Sequence, residues 1–263
     1  MKTFKIILSL AIAATSALGF TACDEVDEGD RFKELGKIES KRNVLIEDFT
    51  GQMCTNCPDG HRTIVSLKEQ YGSQVIAVGI HAGIFGIAEG KNPAIVGLMQ
   101  PEGNEYAKNA GVETYPSAVI DRRSGALAQS EWASYVRTAF ERDCDLNIKL
   151  TAKINGGKID IHSQFEQSAN ISGKYQIWVT ESNIVAIQID NGKTITDYVH
   201  NHVYRASVNG KQGENISLSA NVFSDLNHSI DIKDNWNREH LSIVAFVYNN
   251  DGVVQAQECE VEQ

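Results

Sequence analysis

Two cysteines separated by two residues, Cys54 and Cys57, lie between a strand pattern and a helical pattern. The run Val44 to Phe49 is short and mostly apolar, which is typical of a strand covered on both faces. The helical pattern that follows the cysteines ends near Tyr71, where Gly72 is a suitable stop. The folded part of the chain is therefore predicted to open with a strand, a cysteine-bearing turn and a helix.

Strands and helices continue to alternate up to about residue 143. The pattern predicts a buried strand at Val75–Ile80, an irregular Gly-rich segment over 81–100, a short helix ending at Ala110, a strand at Ser117–Asp121 and an amphipathic helix at Ser130–Arg142. Because strands that alternate with helices form α/β units, residues 43–143 are expected to form an α/β domain.

After Cys144 the helical period gives way to a period of two. Apolar residues alternate with polar ones from Leu146 to Ile154, and Asn155-Gly156-Gly157 follows as a turn signal. Similar runs are found at Lys158–Phe165, Lys174–Thr180, Asn215–Ser219, Ser229–Ile232, Leu241–Tyr248 and Val253–Val261. Short strands without helices predict an all-β, immunoglobulin-like sandwich over residues 144–263.

The N-terminus has the pattern of an export signal. Two lysines lie within Met1–Lys5, an apolar run extends from Ile6 to Phe20, and Thr21-Ala22-Cys23 follows. Small residues before a cysteine resemble a bacterial lipobox, so residues 1–22 are predicted to be a lipoprotein signal peptide and Cys23 the lipid-modified first residue. The alternative is ordinary cleavage that leaves Cys23 as a free thiol.

The charge of the mature chain limits its partners. Removal of residues 1–22 deletes two lysines and takes the net charge from −10 to −12. An acidic chain is not expected to bind nucleic acid through its general field. Residues 23–42 are too charged to pack well and are interpreted as a tether between lipid and fold.

A Cys-x-x-Cys pair at the start of a helix favours thiol–disulfide exchange. Backbone N–H groups and the helix dipole stabilise a thiolate on the first sulfur, and the second sulfur can resolve a mixed disulfide. We therefore expect Cys54 to be partly exposed and to attack, and Cys57 to be shielded by the helix. The alternative is a static disulfide that joins a loop to a helix.

The surroundings of this pair resemble the thioredoxin fold. Asp48 and Phe49 precede Cys54 by six and five positions, where thioredoxins have a buried aspartate and an aromatic residue, and Glu105–Ser117 resembles the helix and loop that carry their cis-proline. The resemblance implies a proton-relaying Asp48 and a cis peptide bond at Pro116. The candidate catalytic residues are Cys54, Cys57, Asp48 and Pro116, and the candidate substrate-side residues are Tyr115, Thr55, Asn56 and His81.

Residues 43–263 are similar to a narrower family, the Bacteroidetes lipoproteins named after an outer-membrane protein of twenty-eight kilodaltons. The similarity rests on the runs Glu47–Gly51, Cys54–Pro58, Ile80–Gly83 and Tyr198–Arg205, together with Gly213-Glu214. It implies a lipid-anchored protein of the outer membrane, on the cell surface or the periplasmic face. No cofactor is implied.

Two alternatives concern the other cysteines and the histidines. Cys144 and Cys259 bracket the β domain and could form a second disulfide. A zinc site from Cys54, Cys57, His61 and His81 is a competing interpretation of the first pair, since two thiolates and two imidazoles complete a tetrahedron. An oxidising compartment favours the disulfide, so no metal is expected. His200 and His202 share one face if their segment is a strand.

Two functions follow from these patterns. The favoured one is disulfide exchange with an unidentified extracytoplasmic protein by a lipid-anchored envelope protein. The other is a non-enzymatic surface binding or adhesion lipoprotein in which Cys54 and Cys57 form a structural disulfide. Fold alone does not decide between them.

Overall fold

The computed structural model describes residues 42–92 and 94–263. The predicted signal peptide, Cys23 and the tether up to residue 41 lie outside this part. Within the described ranges, no helix combines the length and apolar character needed to cross a bilayer. Arg42, the last residue of the predicted tether, is 1% exposed and forms an ion pair with Asp121.

The front half alternates strands and helices as expected. Its elements are β1 (Val44–Thr50), α1 (Cys57–Tyr71), β2 (Val75–His81), α2 (Pro101–Ala110), β3 (Ser117–Ile120), β4 (Leu127–Ala128) and α3 (Trp132–Phe140). Strand β1 pairs in parallel with β2 and antiparallel with β3. The predicted strands and helices are confirmed, and Gly72 follows the last residue of α1 with a φ of 65°.

The back half is made of strands. They are β5 (Leu146–Asn155), β6 (Lys158–Gln167), β7 (Ile171–Glu181), β8 (Ile184–Asp190), β9 (Lys193–His200), β10 (Val203–Ser207), β11 (Glu214–Leu218), β12 (Ser224–Asp231), β13 (Leu241–Asn249) and β14 (Gly252–Glu262). Strands β8, β9 and β10 were not predicted. This part of the protein is rich in β-structure, as the period of two indicated.

A single path of hydrogen-bonded strands crosses both halves. Its order is β12-β6-β5-β14-β13-β7-β10-β2-β1-β3-β4, with β11 beside β7 and a separate β8-β9 hairpin. Strand β10 makes the junction, because it pairs antiparallel with β7 and in parallel with β2 at Val203 and Gly79. The domain boundary near residue 144 stays a prediction, but the two halves share hydrogen bonds between strands.

Three large clusters of buried side chains surround this sheet. In the back half, the inward faces of β5 and β6 pack against those of β7 and β13. A second cluster combines β1 and β2 with Trp178, Tyr204 and Phe246, so it spans both halves. The third lies on the opposite face of β1 and β2, where α1 and α3 cover the sheet. The front sheet is therefore buried on both faces, which is why its strands are continuously apolar.

An arginine from the front half lies among aromatic rings of the back half. The guanidinium carbon of Arg122 is 4.7 Å from the ring centre of Phe246 and 4.4 Å from that of Tyr248. Arg122 also donates hydrogen bonds to both carboxylate oxygens of Glu47 on β1. The cation–π contacts thus connect the two halves, while the ion pair with Glu47 fixes the guanidinium within the front half.

The possible second disulfide, between Cys144 and Cys259, is not formed. Both cysteines are free thiols. The sulfur of Cys144 lies 3.7 Å from the carbonyl oxygen of Val254 on β14, and Cys259 is five residues farther along the same strand. At about 3.3 Å per residue, that separation far exceeds the reach of a disulfide.

Candidate functional site

Cys54 and Cys57 form a disulfide at the start of α1. The helix begins at Cys57 and has Pro58 in its first turn, and the side chain of Asn56 makes no capping hydrogen bond to the described residues. The first-turn N–H groups of such a helix lack intrahelical partners and favour negative charge beside them. The predicted positions of both sulfurs relative to the helix are confirmed.

The prediction that Cys54 is partly exposed is wrong, because Cys54 is only 3% exposed. Cys57 is fully buried. The β8-β9 hairpin holds one side of the cysteine loop. Asn191 and Gly192 donate backbone hydrogen bonds to the carbonyl and hydroxyl oxygens of Thr55, and Gln188 donates through its side chain to the carbonyl of Cys54. Both Thr55 and Asn56 remain exposed.

A short 3₁₀ turn, Gly83–Phe85, holds the other side of the loop. The carbonyl of Phe85 accepts a hydrogen bond from the backbone N–H of Met53. The ring of Phe85 packs against Tyr115, with centres 5.6 Å apart. Tyr115 is half-buried, so the aromatic pair closes the site on this side while leaving part of its surface open.

The β8-β9 hairpin over the cysteine loop was not predicted, although the sequence contains a turn signal for it. Asn191-Gly192 stands between two runs of alternating residues, and both central residues have positive φ, 48° and 75°. Asn-Gly in such a setting is a strong indication of a two-residue hairpin turn. Its position over the cysteine loop was not visible in the local pattern.

The expected cis-proline is confirmed, since the Tyr115–Pro116 peptide bond is cis. Pro116 lies against the first turn of α1 at Gly60. A Cβ atom on Gly60 would lie 3.2 Å from the Cβ of Pro116 and 2.8 Å from Cη2 of Trp132. The close approach of helix, proline and indole therefore depends on glycine at position 60.

Gly60→Val is expected to lower the free energy of unfolding by about 1 to 3 kcal/mol, because overpacking against a fully buried indole forces the neighbours to shift. Urea unfolding at neutral pH measures the change. Gly125→Val is the control, because no atom lies within 4 Å of a Cβ at that turn position. Equal effects of the two substitutions would contradict the tight contact.

Asp48 lies on β1, where it is 1% exposed. Burial raises the pKa of its carboxyl group to about 8. Its Oδ2 is 3.8 Å from Nε2 of His61, and its Oδ1 has no hydrogen-bond partner among the described residues. A carboxyl group with such a pKa can exchange a proton near neutral pH.

His61 connects Asp48 to the hairpin. Its Nε2 is 3.0 Å from the hydroxyl of Thr50, and its Nδ1 is 2.7 Å from the hydroxyl of Tyr198 on β9. Burial, with a contribution from His200 and Arg62, lowers the pKa of His61 to about 3. The imidazole is therefore neutral at physiological pH.

His81, which the sequence placed on the substrate side of the site, is buried in the structure. It is 3% exposed, and its ring centre is 5.4 Å from that of His200, which is 2% exposed. Burial lowers the pKa of both histidines. Together with Asp48, His61 and Tyr198, they line a pocket of about 480 Å³ between α1, β2 and β9. Its polar lining comes from both halves of the chain.

His202 is separated from His200 by the end of β9. The φ of His202 is 55°, and β9 ends at His200. The condition under which His200 and His202 would share one strand face is therefore not met. Nε2 of His202 is 3.1 Å from the ammonium nitrogen of Lys68, and its Nδ1 is 3.8 Å from Glu258. His202 thus contacts Lys68 and Glu258, and among the described residues no hydrogen bond or ion pair joins it to Asp48.

The zinc alternative does not fit this geometry. Cys54 and Cys57 are joined by a disulfide, so neither sulfur is a thiolate. Over residues 42–92 and 94–263, no group of three or more histidine, cysteine or acidic side chains is arranged to hold a metal ion.

Comparison with known proteins identifies one family. The family model described as "Outer membrane protein Omp28" matches residues 103–263, which include most of α2, the cis-proline loop and the whole strand-rich half. A comparison with curated proteins found no match.

Solved structures resemble the fold. HBP35 of Porphyromonas gingivalis is 16% identical, with a TM-score of 0.67 over 86% of this chain and 77% of that one. A crystal structure of a protein from Agrobacterium tumefaciens is 13% identical, with a TM-score of 0.53 over 84% and 95% of the chains. These similarities show a shared fold alone. A domain of the outer membrane lipoprotein Omp28 from P. gingivalis is 20% identical over 46% of this chain and 91% of that domain, with a TM-score of 0.33 that adds no argument.

Proposed function

This chain belongs to the Omp28 family of outer membrane proteins, and on that basis we propose that it is a lipid-anchored outer-membrane protein that exchanges disulfides with an extracytoplasmic protein. Its anchor in this proposal is lipid on Cys23, since several acyl chains on one cysteine bind a bilayer stably. The acidic residues after Cys23 resemble the signals that direct such lipoproteins to the cell surface.

The proposal includes a thioredoxin-like domain over 43–143 and an immunoglobulin-like sandwich over 144–263. Support for the first is the parallel β1–α1–β2 unit, with a disulfide at the helix start and a cis bond before Pro116. Support for the second is the packing of β5 and β6 against β7 and β13.

The observation that carries the redox proposal is the buried Asp48, which lies beside the helix that begins at Cys57. In the reduced protein, the Cys54 thiolate attacks a disulfide of the partner, forming a mixed disulfide and releasing one partner thiolate. The Cys57 thiolate then attacks the Cys54 sulfur, which re-forms the internal disulfide and releases the second partner thiolate.

Asp48 is suited to accept the proton of Cys57 before this second attack. The pKa of Asp48 is raised to about 8. A fraction of Asp48 is therefore ionised near neutral pH, and a general base is most efficient when its pKa lies near the operating pH.

A specific observation favours the other function, a surface binding or adhesion lipoprotein with a structural disulfide. Cys54 is 3% exposed, and the loop that carries it is hydrogen-bonded to the β8-β9 hairpin and to Phe85. For exchange, a partner must displace the hairpin or the 3₁₀ turn to reach the sulfur.

Thiol labelling distinguishes the two functions. Cys144 and Cys259 are free and would also react, so the experiment uses the full chain with both replaced by serine. After mild reduction, limiting iodoacetamide near neutral pH is expected to label Cys54 first, because the helix start stabilises its thiolate. Additional replacement of Cys57 by serine is expected to accumulate a mixed disulfide with the partner.

The structural-disulfide function predicts the opposite results. Neither thiol then reacts until the protein unfolds, and the reduction potential lies below about −300 mV. A potential near those of known oxidoreductases, together with selective labelling of Cys54, supports exchange. Labelling of Cys57 first would contradict the proposed order of attack.

A further inference from the structure

We propose that His61 and Tyr198 form a proton route between the buried side of the cysteine pair and solvent, so that a residue of the strand-rich half completes the redox site. The inference rests on the proposed exchange function and deepens it. It assigns a role in the redox site to the β8-β9 hairpin, which belongs to the back half of the chain.

The first half of the route lies on one face of α1. His61 follows Cys57 by four residues, and residues four apart are neighbours on a helix surface. Asp48 faces the same position from β1, with its Oδ2 3.8 Å from Nε2 of His61. The imidazole of His61 therefore lies on the same face of α1 as Cys57 and also near the buried carboxyl group of Asp48.

The second half of the route is supplied by β9. The hydroxyl of Tyr198 is 2.7 Å from Nδ1 of His61, which is a short hydrogen bond in either tautomer of the ring. Both residues line the 480 Å³ pocket, and the side chain of His61 is 23% exposed. A proton that reaches Tyr198 can therefore pass to water.

The groups around His61 keep its imidazole neutral, so that it can transfer protons without holding an extra one. It faces Asp48 from β1, Arg62 on its own helix, His81 from β2, Asp190 from β8, and Tyr198 and His200 from β9. Burial, His200 and Arg62 lower its pKa to about 3, and Asp190 opposes them. An imidazolium is thus short-lived at neutral pH, whereas simultaneous uptake at Nε2 and release from Nδ1 leaves the ring neutral.

Atoms and electrons balance in the complete step. Cys57 gives its proton to the Asp48 carboxylate, and the Cys57 sulfur attacks the Cys54 sulfur of the mixed disulfide. The Cys54–Cys57 bond forms, the bond from Cys54 to the partner's sulfur breaks, and the partner thiolate leaves with the electron pair. For the last step, Nε2 of His61 turns from the Thr50 hydroxyl, 3.0 Å away, to Oδ2 of Asp48, which must close the present distance of 3.8 Å. Nε2 then takes the proton from Asp48 while Nδ1 releases one to the Tyr198 oxygen, whose own proton goes to water.

The test follows the lifetime of a mixed disulfide in the full chain with Cys144 and Cys259 replaced by serine. The reduced protein is mixed with oxidised glutathione, quenched with acid at intervals and analysed by mass spectrometry over a range of pH. His61→Ala is expected to slow the resolving step at least tenfold, since general acid–base catalysis contributes roughly 10² to 10⁴. Added imidazole is expected to restore the rate, and Tyr198→Phe to slow the step by a smaller factor.

His202→Ala is the matched control, because it removes an imidazole from the same pocket that does not contact Asp48. It is expected to keep the wild-type rate and not to respond to imidazole. If His61→Ala does not fold, His61→Gln replaces it, and the same slowing is expected without rescue.

The outcomes separate the route from the function on which it rests. A wild-type rate and pH profile in the His61 variant, or equal slowing by His202→Ala, overturns the route while exchange stands. If the protein with both native site cysteines never resolves the mixed disulfide at any pH, the proposed function itself fails.

Discussion

Asp121→Ala is expected to lower the free energy of unfolding by about 3 to 5 kcal/mol, because it removes the carboxylate that pairs with a buried guanidinium. Nη2 of Arg42 lies 2.7 Å from Oδ2 of Asp121, and the two residues are 1% and 0% exposed. A buried pair that loses one partner leaves the other charge in a medium of low dielectric constant, where ions are poorly solvated.

Asp121 also joins three segments of the chain. Its Oδ1 accepts a hydrogen bond from the backbone N–H of Leu45 on β1, and its carbonyl oxygen accepts one from Val253 on β14. Asp121→Ala loses the first of these bonds with the carboxylate, which adds to the expected loss.

Urea unfolding with the disulfide intact measures the effect. Glu166→Ala is the control, because it breaks an exposed pair with Lys149, and such pairs contribute about 0 to 1 kcal/mol. The double substitution Arg42→Met with Asp121→Asn is expected to recover much of the stability, since it removes both charges, keeps an acceptor for the Leu45 N–H and suits the φ of 51° at position 121. If Asp121→Ala costs no more than the control, the buried pair does not stabilise the fold.

Arg42 illustrates what local sequence patterns miss. The charged run before β1 predicts a solvated tether, and that reading extends through residue 42. The structure buries Arg42 because Asp121 and the carbonyl oxygens of Val253 and Val254 meet at its position. These partners are far away in the sequence, so the burial of Arg42 could not be predicted from the composition around residue 42.

The order of elements in the front half, by contrast, is visible in the sequence. A strand buried on both faces must be apolar throughout, and a helix covering it must be apolar every three to four residues. Cys54 and Cys57 could be placed by their Cys-x-x-Cys spacing, and Pro116 by the resemblance of residues 105–117 to the cis-proline segment of thioredoxins. The structure has a disulfide between the first two and a cis bond before the third.

The rest of the candidate site depends on long-range pairing. Strand β10 lies between β7 and β2, which places the β8-β9 hairpin against the front half. Only for this reason does Tyr198 reach His61 and Gln188 reach the carbonyl of Cys54. A period of two identifies strands but not their neighbours. For the same reason, the sequence could not show that Cys144 lies beside Val254, five residues from Cys259 along β14.

Asp48→Asn is expected to stabilise the protein by about 2 to 4 kcal/mol at pH 7, because it replaces a buried carboxyl group with a neutral one of the same shape. In the unfolded chain this carboxyl loses its proton above its ordinary pKa of 3.8, but in the fold it keeps the proton up to a pKa of about 8. Between these values folding takes up a proton, so wild-type stability is complete below pH 4 and falls as the pH rises.

Asp48→Asn has no proton to take up at this position on folding. The difference in free energy of unfolding between Asp48→Asn and the wild type is therefore expected to vanish below pH 4, to grow through neutral pH and to level off above pH 8. Urea unfolding of the oxidised protein from pH 4 to 9 measures it, with the exposed Asp234→Asn as a control that should follow the wild type. Equal pH dependence of the wild type and Asp48→Asn would contradict the raised pKa. A carboxyl group that destabilises the fold and is also needed to resolve the mixed disulfide fits a functional residue. A variant that gains stability without any loss of exchange would instead favour the structural disulfide.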